Sequence, residues 1–154
     1  MAAQNTKLYI QFFIDDDRFA LPANDVIAVA PVVSLHKVPQ APDYVAGILN
    51  YRNQSVPVID MTALLAGHST RNRLSTRIVL IRIVAHDGQQ RVIGLLAERV
   101  TEVMRIDETK FTDPGIRNSK TKYLGDVMTD QQGILQRLKV TEILPKAAQE
   151  MLFN

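Results

Sequence analysis

The apolar residues of this chain recur at intervals that favour short strands over helices. The segment KLYIQFFI places Leu8 and every second residue to Ile14 on one face, which is typical of a half-buried strand. The segment TRIVLIRIVA is apolar on both faces and predicts a strand that is buried on both sides. About nine or ten such runs, spaced near ten residues apart, predict an all-β barrel or a pair of barrels.

Two helices and several turns interrupt this strand pattern. Asp60 is placed to cap the short helix MTALLA, and Gly67 is placed to end it. A closing helix is predicted with Pro145 at its first position. The run Asp15–Asp17 is interpreted as a hairpin tip, because nothing downstream supplies the glycine and distal glutamate of a calcium loop. The pair Asp87-Gly88 predicts a second hairpin.

Length and composition limit the class of protein. A chain of 154 residues suits one domain, so residues 1–154 are expected to fold together. The chain has no cysteine, which excludes disulfides, thiolate nucleophiles and cysteine-based metal sites. The sequence lacks both a secretory signal pattern and an apolar run of about 18 residues, so a cytoplasmic protein is expected.

Charge is distributed unevenly along the chain. The net charge of +2 is the sum of about −2 over residues 1–60 and about +4 over residues 61–154. The polar, basic segment HSTRNRLST is interpreted as an exposed connection between the halves. A nucleic-acid-binding β-barrel is the alternative class, with Tyr123 as its aromatic candidate for base stacking.

Catalytic chemistry finds little support in the sequence. His36, His68 and His86 have no metal-site spacing and are interpreted as surface residues. On a strand, Glu98 and Glu102 would lie about 13 Å apart, too far for a close acid and base pair, and they are interpreted as solvated charges. We therefore expect a binding protein that is not an enzyme and has no metal or cofactor.

The segment from Pro42 onwards resembles the signature of the CheW family, the cytoplasmic adaptors of bacterial chemosensory arrays. It reads VPQAPDYVAGILNYRNQSVPVIDMTALL, and its matching residues are Pro42, Tyr44, Gly47, Asn50, Arg52, Pro57 and Asp60. Shorter matches extend over nearly the whole chain. The resemblance implies a fold of two intertwined small SH3-like β-barrels, with a short helix between the halves and a C-terminal helix.

The same resemblance implies partners and sites. Family members couple the cytoplasmic tip of a methyl-accepting chemoreceptor to the regulatory domain of a CheA-type histidine kinase, without catalysis. The positions that match receptor contacts are Val26, Val29, Gly47, Arg52, Ile78, Val79 and Gly94. Asn50, Asn53, Pro57 and Asp60 match the structural motif around the arginine, and Lys139 lies near an implied kinase contact.

Three departures from the family pattern qualify the resemblance. Asn53 replaces the usual glycine after the arginine, and asparagine tolerates a left-handed backbone. Flagellar-chemotaxis relatives tend to have more polar or acidic residues at the positions of Pro22, Ala23, Asn24 and Ala28, and many relatives have aspartate at the position of Lys139. These changes suggest a specialised paralogue, such as one in a Wsp-like pathway. A receptor-binding protein that has lost kinase binding is a further alternative.

Overall fold

The computed structural model describes residues 5–116 and 121–153 of the chain. In this part the chain is all-β, as predicted, with nine strands and two short α-helices. The strands are β1 (Thr6–Ile14), β2 (Asp17–Pro22), β3 (Val26–Pro31), β4 (Val45–Tyr51), β5 (Gln54–Asp60), β6 (Arg77–Val84), β7 (Gln90–Asp107), β8 (Leu124–Asp130) and β9 (Gly133–Leu138). The helices are α1 (Met61–Ala66), between the halves of the sequence, and α2 (Lys146–Phe153).

The strands pair into two five-stranded halves that share β7. The first half has the strand order β7-β1-β2-β9-β8, and the second half has the order β3-β6-β7-β5-β4. In each half, one hairpin joins in parallel to a strand distant in sequence: β9 to β2, and β5 to β7. The chain leaves the first half after β2, builds the second, and returns through β7, so the halves are intertwined.

The sheet is not closed by a continuous ladder in the described residues. A bridge between His36 and Ile48 spans the open side of the second half, and a bridge between Thr112 and Val127 spans that of the first. Both bridges are made by chain that has just left an edge strand of its half. Each half is therefore an open barrel whose gap is crossed by an isolated residue pair.

Strand β7 is continuous over 18 residues, where the sequence pattern predicts two strands. Its first part, up to Ala97, pairs with β6, and its second part, from Glu98, pairs with β1. One residue into the second part, Arg99 has a φ of 56°, an uncommon left-handed backbone, and its guanidinium carbon lies 3.6 Å from the centre of the Phe13 ring. The prediction of two strands is wrong because the chain changes partners between Ala97 and Glu98 without ending the strand.

The largest hydrophobic core lies between the halves. Phe12 and Leu21 from the first half share it with Val79 and Leu95 from the second, and all four are fully buried. Each half also has a smaller core of its own. That of the first half comprises Tyr9, Ala20, Ile106, Phe111, Met128 and Leu135, and that of the second comprises Leu49, Val56, Val58, Ile78 and Leu80.

Candidate partner-binding surfaces

Arg52 lies at the tip of the β4–β5 hairpin. Arg52 and Asn53 form its two-residue turn with φ values of 49° and 65°, and positive φ at both positions is the signature of a type I′ hairpin turn. Asparagine is one of the residues that adopt this backbone at low energetic cost. The asparagine that departs from the family pattern therefore still supports the turn.

The Arg52 guanidinium is exposed to solvent. Its carbon lies 5.3 Å from the centre of the Tyr51 ring, which is a cation–π distance. Among the described residues, the side chain donates no hydrogen bond to a carbonyl of its own chain. An arginine at a hairpin tip could instead close its own barrel by donating to local carbonyls, but no such bond is present in the described part of the chain, and its donors remain available to a partner.

Gly47 allows the bridge across the second half to form. His36 donates its backbone N–H to Ile48 at 2.9 Å, and Ile48 donates to the His36 carbonyl at 2.7 Å. A Cβ at position 47 would lie 2.6 Å from that carbonyl oxygen, and φ at Gly47 is 148°, where side chains are strained. Gly47 is buried beneath this contact, so its role in the structure is close backbone approach.

Two further signature residues lie in the same hairpin. Asn50 is exposed and pairs with Ser55 next to the turn. Pro57 is buried opposite Ile48, one residue before β5 begins its parallel pairing with β7 at Val58. Proline has no backbone N–H to donate to a neighbouring strand. Pro57 therefore lies just before the β5–β7 pairing, where such a donor would be needed.

Asp60 connects the end of β5 to α1 and to the following loop. Its carboxylate accepts the N–H of Ala63 at 3.0 Å, which caps α1 as predicted. It also accepts the N–H of Thr70 at 3.0 Å and the Thr70 hydroxyl. Gly67, with a φ of 81°, ends the helix and donates to the Ala63 carbonyl at 3.1 Å.

Val26 and Val29 lie on β3, the outer strand of the second half. Val29 is 44% exposed, and Val26 is half-buried against the core between the halves. Val29 stands opposite Val79 in the ladder, so both side chains project from the same face of the sheet. In the strand order, β6 and β7 separate these valines from the hairpin that carries Arg52.

Ile78, Val79 and Gly94, which match positions that the family uses around the groove or its receptor contact, are buried in this structure. Strand β6 is covered on both faces, with Val79 in the core between the halves and Ile78 in the core of the second half. A Cβ at position 94 would lie 2.9 Å from a methyl of Ile78. In this conformation these residues support the neighbouring strands and present no side chain to a partner.

Two exposed apolar residues outside the predicted set lie on the other half. Leu8 is 45% exposed and Val103 is 61% exposed. Val103 pairs with Ile10, so it shares a sheet face with Leu8. Alternation alone gave no signal for them, because Leu8 continues the same pattern as the buried residues of β1.

Leu8 and Val103 lie on the face of the first half that packs into the core between the halves, and Val29 lies on the corresponding face of the second half. All three are exposed, so they lie outside that core. The 3-10 turn Ala23–Asp25 crosses between the halves from β2 to β3. Burial raises the pKa of the Asp25 carboxyl in this turn. We use the name inter-half groove for Leu8 and Val103 on the first half together with Val26 and Val29 on the second.

Lys139 is exposed and lies immediately after β9 in the first half. It lines a broad depression of about 880 Å³ with charges of both signs, including Asp113, Asp126, Lys122 and Glu142. The depression has room for a partner surface and would pair with groups of either sign.

The histidines and glutamates considered for metal binding or catalysis differ in their exposure to solvent. His36, His68 and His86 are exposed, as predicted. Glu98 is only 7% exposed and forms an ion pair with Arg73 at 3.5 Å, so its interpretation as a solvated charge is wrong. The side chain of Glu102 lies outside the described residues. In the described ranges, no three histidine or acidic side chains are grouped to hold a metal ion.

The nucleic-acid alternative loses its aromatic candidate. Tyr123 is buried in the core between the halves, where its ring has no room to stack on a base. Phe111 is buried in the core of the first half, beneath the Arg137 guanidinium at 4.4 Å.

An intertwined two-half β fold that exposes apolar side chains on both halves and a hairpin-tip arginine has the features of a protein-binding module. Residues 8–148 match the family described as the CheW-like domain. The chain is 25% identical over 139 residues to the chemotaxis protein CheW of Helicobacter pylori, a match that covers 90% of this chain and 81% of that protein. It is 26% identical over 127 residues to the chemotaxis protein CheW of Thermotoga maritima, covering 82% and 80%.

The crystal structure of the scaffolding protein TtCheW from Thermoanaerobacter tengcongensis has the same fold, with a TM-score of 0.77 and 25% identity over 90% of this chain and 88% of that one. The chain therefore belongs to the CheW-like domain family, as its signature suggests. None of the helices in the described ranges has the length and hydropathy needed to cross a membrane.

Proposed function

We propose that this protein is a non-catalytic adaptor that couples the cytoplasmic tip of a methyl-accepting chemoreceptor to the regulatory domain of a CheA-type histidine kinase. Membership of the CheW-like family and the chemotaxis and scaffolding names of its relatives support this role. The observation that carries it is the inter-half groove, whose residues Leu8, Val103 and Val29 leave apolar side chains exposed on both halves. The protein would act in the cytoplasm, at receptor arrays.

The groove suits an amphipathic receptor helix. Leu8 and Val103 would form one wall and Val29 the other, with the apolar stripe of the helix between them. Arg52 would bind a receptor carboxylate, because a guanidinium on a short, ordered turn presents a planar fork of donors. Ile78, Val79 and Gly94 would hold these strands in place from behind.

The kinase domain would bind elsewhere on the molecule. The mixed-charge depression around Lys139 is our candidate for that contact, and β2 lies between β9 and the groove strand β1. The changes at Ala28 and Lys139 favour a specialised pathway with its own receptor and kinase. Full rescue of swarming in a strain lacking its flagellar-chemotaxis adaptor would contradict that specialisation.

Calorimetric titration against a receptor-tip fragment, and separately against the kinase regulatory domain, tests the proposal. We expect both to bind, and we expect Arg52→Ala to weaken the receptor arm about tenfold, or about 1.4 kcal/mol, with the kinase arm unchanged. Arg82→Ala is the matched control, since Arg82 is also an exposed arginine of the second half. Binding of neither partner by folded protein would overturn the adaptor role, and equal loss from both arginine variants would overturn the role of Arg52.

A further inference from the structure

Leu74 is 97% exposed, more than any other large apolar residue that the structure describes. It lies in the loop between α1 and β6, and hydrogen bonds order this loop on both sides of it. The Thr76 hydroxyl accepts the N–H of Arg73 at 2.9 Å and donates to the Arg71 carbonyl at 2.6 Å. The Ser75 carbonyl accepts an N–H from β7 at 3.0 Å. The loop therefore holds the leucine side chain in solvent.

A single exposed leucine is ordinary on a protein surface, but Leu74 lies among charged residues that could bind a partner together with it. Arg71, Arg73 and Arg77 surround it in sequence, and the loop from residue 68 to residue 77 contains no acidic residue. Arg77 donates to the Leu74 carbonyl and so stabilises the turn. We call these three arginines the basic patch.

An acidic patch lies directly beside the basic one. It consists of Asp15, Asp16 and Asp17, all exposed in the β1–β2 turn. His68 Nε2 lies 3.0 Å from Asp15 Oδ1, which joins the turn to the loop, and the hydrogen bond with Asp15 raises the pKa of His68. Glu98, which pairs with Arg73, stands opposite Phe13 in the ladder, two residues before the turn.

The two patches together decide the class of partner. Exposed charges act on an approaching surface over about one screening length, 8–10 Å. A uniformly anionic surface, such as a nucleic acid or an anionic membrane, would therefore attract the basic patch and repel the adjacent acidic patch at the same time. Two copies related by a two-fold axis instead bring each basic patch to the acidic patch of the other copy. In the described chain, Arg71, Asp16 and Asp17 form no internal ion pair, so their charges are available for this contact.

We propose that this face binds a second copy of the chain about a two-fold axis, with the basic patch of each copy against the acidic patch of the other and Leu74 buried between them. The association is weak and salt-dependent, because it rests on exposed charges and one apolar anchor. It leaves the inter-half groove and Arg52 free.

Sedimentation velocity of the full chain, over a concentration series at about 0.05 M and about 0.5 M salt, tests this contact. We expect concentration-dependent dimers that weaken at high salt. Arg71→Glu and Asp16→Lys each turn two symmetric attractions into repulsions and should weaken self-association about tenfold. An equimolar mixture of the two variants should recover dimers, since both contacts are then attractive again.

Leu74→Ser should also weaken the dimer, whereas Arg82→Glu and Asp43→Lys, which reverse exposed charges outside the patches, should leave it unchanged. Wild-type protein that stays monomeric at both salt concentrations would overturn the proposal. So would dimers that persist in the patch variants, or a mixture that stays monomeric. Monomers that bind anionic vesicles or nucleic acid through Arg71 would show that the face has a different partner.

Discussion

At the scale of single residues, Asp60 shows how a signature position acts through structure before any partner is involved. Its buried carboxylate accepts hydrogen bonds from Ala63 and Thr70, so it holds the start of α1 and the loop behind it. Removing it would leave the partly buried N–H groups of Ala63 and Thr70 without these acceptors. This is a large penalty compared with the net gain from making one hydrogen bond.

We therefore expect Asp60→Ala to lower the free energy of unfolding by about 3 kcal/mol, and Asp60→Asn by less, because the amide oxygen still accepts one bond. Asp43→Ala, at an exposed aspartate, is the control and should change stability by less than about 0.5 kcal/mol. Urea unfolding followed by circular dichroism measures all three. Equal values for the Asp60 and Asp43 variants would show that the network does not stabilise the fold.

A second residue-scale prediction concerns pH. Arg18 is buried and donates to both carboxylate oxygens of Asp130, at 2.7 and 2.9 Å. These bonds lower the pKa of Asp130 in the folded protein. A lowered folded pKa stabilises the protein above the unfolded aspartate value of about 3.9, and this contribution is lost as the pH falls through the folded pKa.

Asp130→Asn should therefore reduce stability at pH 7 and flatten the loss of stability below about pH 4 relative to wild type. Denaturation midpoints measured from about pH 2.5 to pH 7 give the two curves. Asp43→Asn is the control and should follow wild type throughout. Parallel curves for wild type and Asp130→Asn would remove this pair as a source of acid sensitivity.

At the scale of elements, the bridge across the second half depends on close backbone approach at Gly47. Gly47→Ala adds a Cβ at 2.6 Å from the His36 carbonyl as well as straining the backbone. Gly133 also has a positive φ, of 106°, but a Cβ there meets nothing within 4 Å. Comparing the two variants separates the collision from the strain.

We expect Gly133→Ala to cost about 1 kcal/mol and Gly47→Ala to cost about 3 kcal/mol, the difference coming from displacement of the chain after β3. Chemical denaturation gives the stabilities, and hydrogen exchange at Ile48 reports whether the bridge opens. Similar stabilities with Ile48 still protected would show that the bridge tolerates a side chain.

Local patterns predicted the strands well and their partners poorly. Alternation and turn residues identified the hairpins, because these depend on neighbouring residues. The parallel pairings of β9 with β2 and of β5 with β7 join distant segments and have no local signal. The prediction that Glu98 is a solvated charge is wrong because its burial also depends on distant segments. The partner change of β7 lies beside it, and the loop before β6 brings Arg73 to it.

For the candidate site too, the sequence predicts the exposure of some residues and not of others. Val29 and Arg52 are exposed, where a partner can reach them, but Ile78 and Val79 are not. The pattern of β6, apolar on both faces, already indicated burial on both sides, and the resemblance led to the opposite expectation of direct contact. Leu8 could not be distinguished from the core residues of β1, because its exposure depends on where the other half ends.

At the scale of the whole molecule, we expect the two halves to unfold together, because they share one hydrophobic core. It draws buried residues from both halves, and β7 belongs to both. Folding of the chain as one unit remains a prediction, and substitutions confined to the two smaller cores test it. Leu135 lies in the core of the first half, and Leu80 lies in that of the second.

Leu135→Ala and Leu80→Ala should each destabilise the protein by about 2–5 kcal/mol. If unfolding is cooperative, either change lowers amide protection by the same free energy in Phe19–Leu21 of the first half and in Val56–Val58 of the second. Hydrogen exchange resolved to these segments makes the measurement. Loss of protection confined to the mutated half would show that the halves are separate folding units. The inter-half groove would then change shape as one half moves against the other, and the receptor helix that we propose as its partner would bind to a surface that it helps to order.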